Sequence, residues 1–114
     1  MMKILNQKLS AEDLHKMASA GFGDMVKGVV DVEREVLALD AELHSDLEAL
    51  LLGNGSKQAS LWGVNLYPQI SGQDFLDFDS MINIRPSSGN RSRGVENEAI
   101  RRKIAAIVAK WIQQ

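Results

Sequence analysis

Period two and the helical period alternate along this chain, and their order sets out a fold before any chemistry is considered. Met2 to Gln7 is a short apolar run with a polar end, read as an opening strand. Ser10-Ala11-Glu12-Asp13 then begins a helix, because the Ser10 hydroxyl can accept from a free backbone N–H and the acids suit the positive end of the helix dipole. Leu9 and Leu14 stand at staple positions, Leu14, Met17 and Ala18 share a face, and Gly21 ends the helix. Val26, Gly28, Val30 and Val32 alternate with Lys27, Val29 and Asp31, and Leu37, Leu39 and Ala41 with Val36, Ala38 and Asp40. These runs predict a hairpin through Glu33-Arg34-Glu35. The rival, one helix over Met25–Leu39, is disfavoured by its five valines.

The second half repeats the theme. Ser45-Asp46-Leu47-Glu48 has the form of a capping box, Leu47, Leu50 and Leu51 bury the helix that follows, and Gly53-Asn54-Gly55 stops it. Leu61 to Tyr67 returns to period two, with Trp62, Val64 and Leu66 facing the core and Pro68 closing the strand. Phe75 to Ile84 is predicted as the last strand, with Leu76, Phe78, Ile82 and Ile84 inward and Asp77, Asp79, Met81, Asn83 and Arg85 outward. Ser87 to Gly94 has loop composition. A final helix from about Asn97 to Ile112 carries the stripe Ile100, Ile104, Ile107, Val108, Trp111 and Ile112. The order β-α-β-β-α-β-β-α predicts a single α+β domain over residues 1–114. It would be a mostly antiparallel sheet of four to five strands with three helices, packed mainly on one face.

Composition narrows the chemistry. The chain has no cysteine, which excludes disulfides, thiolate metal sites and cysteine nucleophiles. No apolar run approaches the roughly 20 residues of a membrane-spanning helix, and the start MMKILNQKLS lacks an apolar core of signal-peptide length. A cytoplasmic protein with no membrane partner is the expectation. The net charge of −2 conceals an asymmetry: residues 1–84 carry six Lys/Arg against thirteen Asp/Glu, and residues 85–114 carry seven against two. The basic tail either packs on the acidic body or offers a surface to phosphate or another anion.

Polar residues converge in three places. If every strand turns its apolar face to the helices, the opposite face presents Asp31, Asp40, Glu42, Asn65, Tyr67, Asp77, Asp79, Asn83 and Arg85. Asn65 and Asn83 stand centrally in strands, where asparagine is depleted. The second place is Glu42-Leu43-His44-Ser45-Asp46. A metal held by Glu42, His44 and Asp46 is disfavoured, because a helix start at Ser45 turns the chain, so no metal or cofactor is expected. His44 with Glu42 or Asp79 is the candidate acid–base pair. The third is Arg85-Pro86-Ser87-Ser88-Gly89-Asn90-Arg91-Ser92-Arg93-Gly94, which joins guanidinium groups to glycines ahead of a helix N-terminus. Neither phosphate-loop nor dinucleotide fingerprint is present. Trp62, Phe78 and Trp111 fall on core faces, which weakens nucleic-acid recognition by stacking.

The segments FGDMVKGVVDVE, ELHSDLEALLL with NGS, LWGVNLYP and FDSMINIRPSSGNRSRGVE resemble the motif blocks of a small family of uncharacterised prokaryotic proteins, a domain of unknown function. The resemblance covers nearly the whole chain, supports a single domain, and implies no substrate, cofactor or catalytic residue. Three readings follow from the residues. The first is a protein that binds an anionic small molecule or nucleic acid through Asn65, Asn83, Arg85, Asn90, Arg91 and Arg93. The second is a small hydrolase or nuclease built on His44 with Glu42 or Asp79. The third is an interaction module, homodimeric through a sheet edge or face.

Overall fold

A computed structural model describes residues 1–113. Five strands, β1 (Lys3–Ile4), β2 (Val26–Asp31), β3 (Val36–Leu39), β4 (Leu61–Leu66) and β5 (Leu76–Asp77), form one sheet in the order β1-β3-β2-β4-β5, antiparallel throughout. Three helices, α1 (Ala11–Ala20), α2 (His44–Gly53) and α3 (Glu98–Trp111), complete an α+β fold in the expected order. No described helix is long and apolar enough to cross a membrane.

Local chemistry explains most boundaries. Ser10 Oγ accepts from the Asp13 N–H at 3.1 Å and starts α1, while Asn97 Oδ1 accepts from the Ile100 N–H at 3.0 Å and starts α3. The hairpin between β2 and β3 turns on Asp31, whose Oδ1 accepts from the N–H groups of Glu33 and Arg34 at 2.9 Å each. Glu35 takes the left-handed conformation this turn requires, with φ 58.

The main core matches the period-two reading. Val26, Val30, Leu37, Leu39, Trp62, Val64 and Leu66 meet Leu14 and Ala18 of α1 and Ile104, Ile107 and Val108 of α3. The reading fails on the other side of the sheet. Val29, Ala38 and Leu61 form a second buried strip there, and Leu47 and Leu51 of α2 cover it. Helices therefore lie on both faces, not mainly on one. The cause is in the central strand, where Val29 and Val30 are adjacent, so each face receives a valine that must be removed from water.

Two further expectations are corrected. The capping box at Ser45 does not form: α2 begins at His44, its N-cap is Leu43, and no side chain caps it. This earlier start puts His44, Leu47 and Leu51 on one stripe, with the imidazole turned into the sheet. The predicted strand from Phe75 to Ile84 ends at Asp77. Beyond it the chain leaves the ladder for a 3-10 turn at Met81–Asn83, Ile82 joins the α2 side of the sheet, and Ile84 is exposed. Gly63 explains the departure. A Cβ on Gly63 would stand 2.4 Å from Ser80 Oγ, so the crossing of Ser80 over β4 needs a glycine beneath it.

Candidate functional site

Where β5 stops, side chains replace the missing strand. Asn83 Oδ1 accepts from the Gly63 N–H at 2.8 Å, and its Nδ2 donates to the carbonyls of Gly63, Phe78 and Arg93 at 3.0 Å each. Asn90 binds the next layer: Nδ2 donates to the carbonyls of Asn83, Ser92 and Gly94, and Oδ1 accepts from the Glu96 N–H. Both amides are buried, and every polar atom of each has a partner. Asn83 and Asn90, expected as ligand groups, are thus braces of the backbone.

The arginine loop is largely engaged with its own chain. The Arg85 guanidinium stacks 4.2 Å from the Trp62 ring and donates to the carbonyls of Gln58 and Leu61 at 2.5 and 2.6 Å. Burial lowers its pKa, against the pull of Glu48. The backbone N–H groups of Arg91 and Ser92 both donate to Glu96 Oε2, at 2.7 and 2.9 Å. These two bonds hold the Glu96 carboxyl below its usual pKa. The nest that loop composition suggested for an external anion therefore holds an internal carboxylate. Arg93 Nε donates to Asp79 Oδ1 at 2.6 Å, a half-exposed ion pair. The Arg91 guanidinium makes no ion pair among the described residues.

A different cluster has open valences. At the N-terminus of α2, a hollow of about 390 Å³ is lined by His44, Asn65, Tyr67, Asp77, Asp79 and Arg93, with Lys27, Ser45 and Ser80 around them and Leu43 and Met81 at its lip. Of the acid–base candidates it unites His44 and Asp79. Glu42 lines a neighbouring hollow beside Phe22 and Met17, so it is separated from them. Among the described residues, no three His, Asp or Glu side chains converge closely enough to hold a metal ion.

His44 is 8 % exposed, and its Nε2 lies 2.8 Å from the Val64 carbonyl oxygen. A carbonyl only accepts, so Nε2 carries the hydrogen, and in the neutral ring Nδ1 keeps its lone pair. Burial lowers the imidazole pKa, and Lys27 adds to this. The Val64 bond, the Asn65 carboxamide and the Asp79 charge oppose it without reversing it. The ring is therefore neutral at pH 7. Asn65 Nδ2 donates to Asp77 Oδ2 at 3.1 Å and to the Asp79 carbonyl at 2.8 Å, whereas its Oδ1 is buried with no partner. Desolvation and the charges of Asp77, Asp24 and Asp79 raise the Tyr67 pKa.

Of the residues singled out from the sequence, the hollow brings together His44, Asn65, Asp79 and Arg93, and it adds Asp77, Tyr67 and Lys27. Period two places Asp77 and Tyr67 on this sheet face, and Lys27 on the face opposite Val26, Gly28 and Val30, without singling them out as ligand or acid–base groups. Their shared signal was period two, which puts Lys27, Asn65 and Asp77 in adjacent register across β2, β4 and β5. No curated protein and no solved structure matches the chain. The model of the family described as "Protein of unknown function (DUF5674)" matches residues 3–111, and the chain belongs to that family.

Proposed function

We propose that the hollow at the α2 N-terminus is an acid–base site acting on a small polar substrate, with hydrolysis as the reaction. The observation that supports it is the state of His44: buried, neutral, fixed through Nε2 to a backbone carbonyl, and in one hollow with Asp79 and Arg93. In this reading Nδ1 accepts a proton from water as its oxygen attacks the acyl or phosphoryl centre. The imidazolium then returns that proton to the leaving group. Asp79 stabilises the transient imidazolium, as its effect on the His44 pKa implies, and the Asp79–Arg93 pair fixes one wall.

The test is turnover of p-nitrophenyl acetate, p-nitrophenyl phosphate and bis(p-nitrophenyl) phosphate by the whole chain and by His44→Gln. At least one ester should be hydrolysed. The variant should lose about 10²-fold or more in rate, the usual contribution of a positioned acid–base group. The rate should also fall below the lowered His44 pKa, on the acid side of 6.5. Equal rates for the two proteins, or no turnover of any ester, sinks the reading.

A second reading keeps anion binding at the loop, now carried by Arg91 alone because Arg85, Arg93 and the loop amides are engaged. Titration with inorganic phosphate, followed at the Arg91 and Ser92 amides, tests it. Unmoved resonances would remove it.

A further inference from the structure

We propose that the ligand taken by this hollow carries a protonated primary amine on a short apolar body. Which valences remain open decides the class. Asn65 is 5 % exposed, and its Oδ1 is an acceptor with no donor to meet it, a state that buried polar atoms rarely keep. Its Nδ2 is tied to Asp77 Oδ2 and the Asp79 carbonyl, and its carboxamide lies close enough to His44 to favour the protonated ring.

Two carboxylates, Asp77 and Asp79, and two cations, Lys27 and Arg93, line the hollow with Asn65. Asp77 has no ion-pair partner among the described residues, and the second oxygen of Asp79 is left over from its bond to Arg93. Both cations have partners of their own: Arg93 is bound to Asp79, and Lys27 lies over the Phe22 ring, 5.1 Å from its centroid. Burial first, and then the charges of Asp77, Asp24 and Asp79, disfavour the Tyr67 phenolate.

An ammonium group supplies what this set lacks. It has three N–H donors and one positive charge, so one donor can meet Asn65 Oδ1 and another the Asp77 carboxylate in charge-assisted bonds. A carboxylate or phosphate would meet the same two groups with repulsion. Leu43 and Met81, 55 % and 65 % exposed, form an apolar lip that would cover the hydrocarbon behind the ammonium. The inference rests on the acid–base reading for the placement of this substrate beside His44.

The experiment is titration of the whole chain with benzylamine at pH 7, followed by backbone amide NMR, with benzyl alcohol and inorganic phosphate in parallel. Benzylamine should shift the amides around Asn65 and Asp77, and benzyl alcohol should bind at least about tenfold more weakly. Asp77→Asn, which keeps an oxygen for Asn65 Nδ2, should weaken benzylamine about tenfold or more, whereas Arg91→Gln should leave it unchanged. Equal affinity of benzylamine and benzyl alcohol overturns the proposal, as does phosphate shifting these amides in place of benzylamine. Undiminished benzylamine binding by Asp77→Asn overturns it too. If benzylamine fails while His44→Gln still abolishes turnover of a neutral ester, the amine class falls and the acid–base reading stands.

Discussion

Asn65 and Asn83 are two buried asparagines at the place where β5 breaks off, and they are finished differently. Asn83 is fully buried, its oxygen has one donor, and its nitrogen reaches three carbonyls. Asn65 is nearly as buried, yet its oxygen has no partner. The first amide does the work of a strand: it closes the Gly63 N–H and C=O that β5 would otherwise have met. The second lies one pleat along β4, beside His44, and keeps an unmet acceptor. A fully satisfied buried polar group acts as scaffold. Asp31 Oδ2, Trp62 Nε1 and Arg85 Nε are also buried without a partner, and Asn65 differs from them in lining the hollow beside His44.

The widest test of that contrast is truncation of both amides. Asn83→Ala removes four hydrogen bonds and leaves the Gly63 amide group buried without partners. Unsatisfied groups of this kind cost roughly 1–3 kcal/mol each, so we expect a loss of about 3–5 kcal/mol or failure to fold. Asn65→Ala removes two bonds and no bond at its oxygen, and should cost about 1–2 kcal/mol. Urea denaturation of both variants measures the difference. Equal losses would erase the distinction between brace and site.

The brace depends on a close crossing that can be probed separately. Gly63→Ala places a methyl 2.4 Å from Ser80 Oγ and 2.5 Å from Ser80 Cβ. Overpacking of this sort costs about 1–3 kcal/mol. Ser80→Gly clears both contacts, so the double variant should be more stable than the sum of the two single losses allows. Strict additivity in thermal or urea melts would show that the strand breaks off for a reason other than this contact.

Most of the fold was legible because apolar periodicity is a local signal that the core must respect. Both hairpin strands, β4, α1 and α3 follow it directly. The covered second face was signalled by Val29 and Val30 side by side, but a sequence does not say which helix will cover such a strip. The early end of β5 was hidden because Phe75 to Ile84 alternates well enough to pass as a strand. Only the meeting of Ser80 and Asn83 with Gly63, some twenty residues away, removes Ile82 and Asn83 from the ladder. The site was partly legible for the same reason. Period two brought Asn65, Asp77 and Asp79 to one face, and the helix start supplied His44. The arginine loop misled, since its nest-forming amides are real but Glu96, within the same segment, fills them.

A smaller effect separates His44 from a histidine with the ordinary pKa. Its folded pKa lies below the ordinary 6.5, so between those two values the unfolded chain binds more protons than the folded one. Stability should therefore rise with pH across that window, by at most about 1.4 kcal/mol per pH unit for one proton, and level off above 6.5. His44→Gln should flatten this rise. Denaturant midpoints from pH 4 to 8, compared between the two proteins, give the answer. A variant that retains the full slope would assign it to the carboxylates and leave His44 without a distinctive state.

The smallest expected effect concerns the arginine loop. The Arg91 side chain is exposed and makes no ion pair among the described residues, so Arg91→Gln should change stability by no more than about 0.5 kcal/mol. Glu96→Gln tests the other half of the same contact. A neutral carboxamide is a weaker acceptor for the Arg91 and Ser92 N–H groups than the carboxylate it replaces, so hydrogen exchange at those two amides should quicken while α3 and β4 stay protected. If exchange there is unchanged in Glu96→Gln but quickens in Arg91→Gln, the guanidinium and not the carboxylate organises the loop. The loop would then join the His44 hollow as an unfinished site, not the Asn83 brace as a finished one.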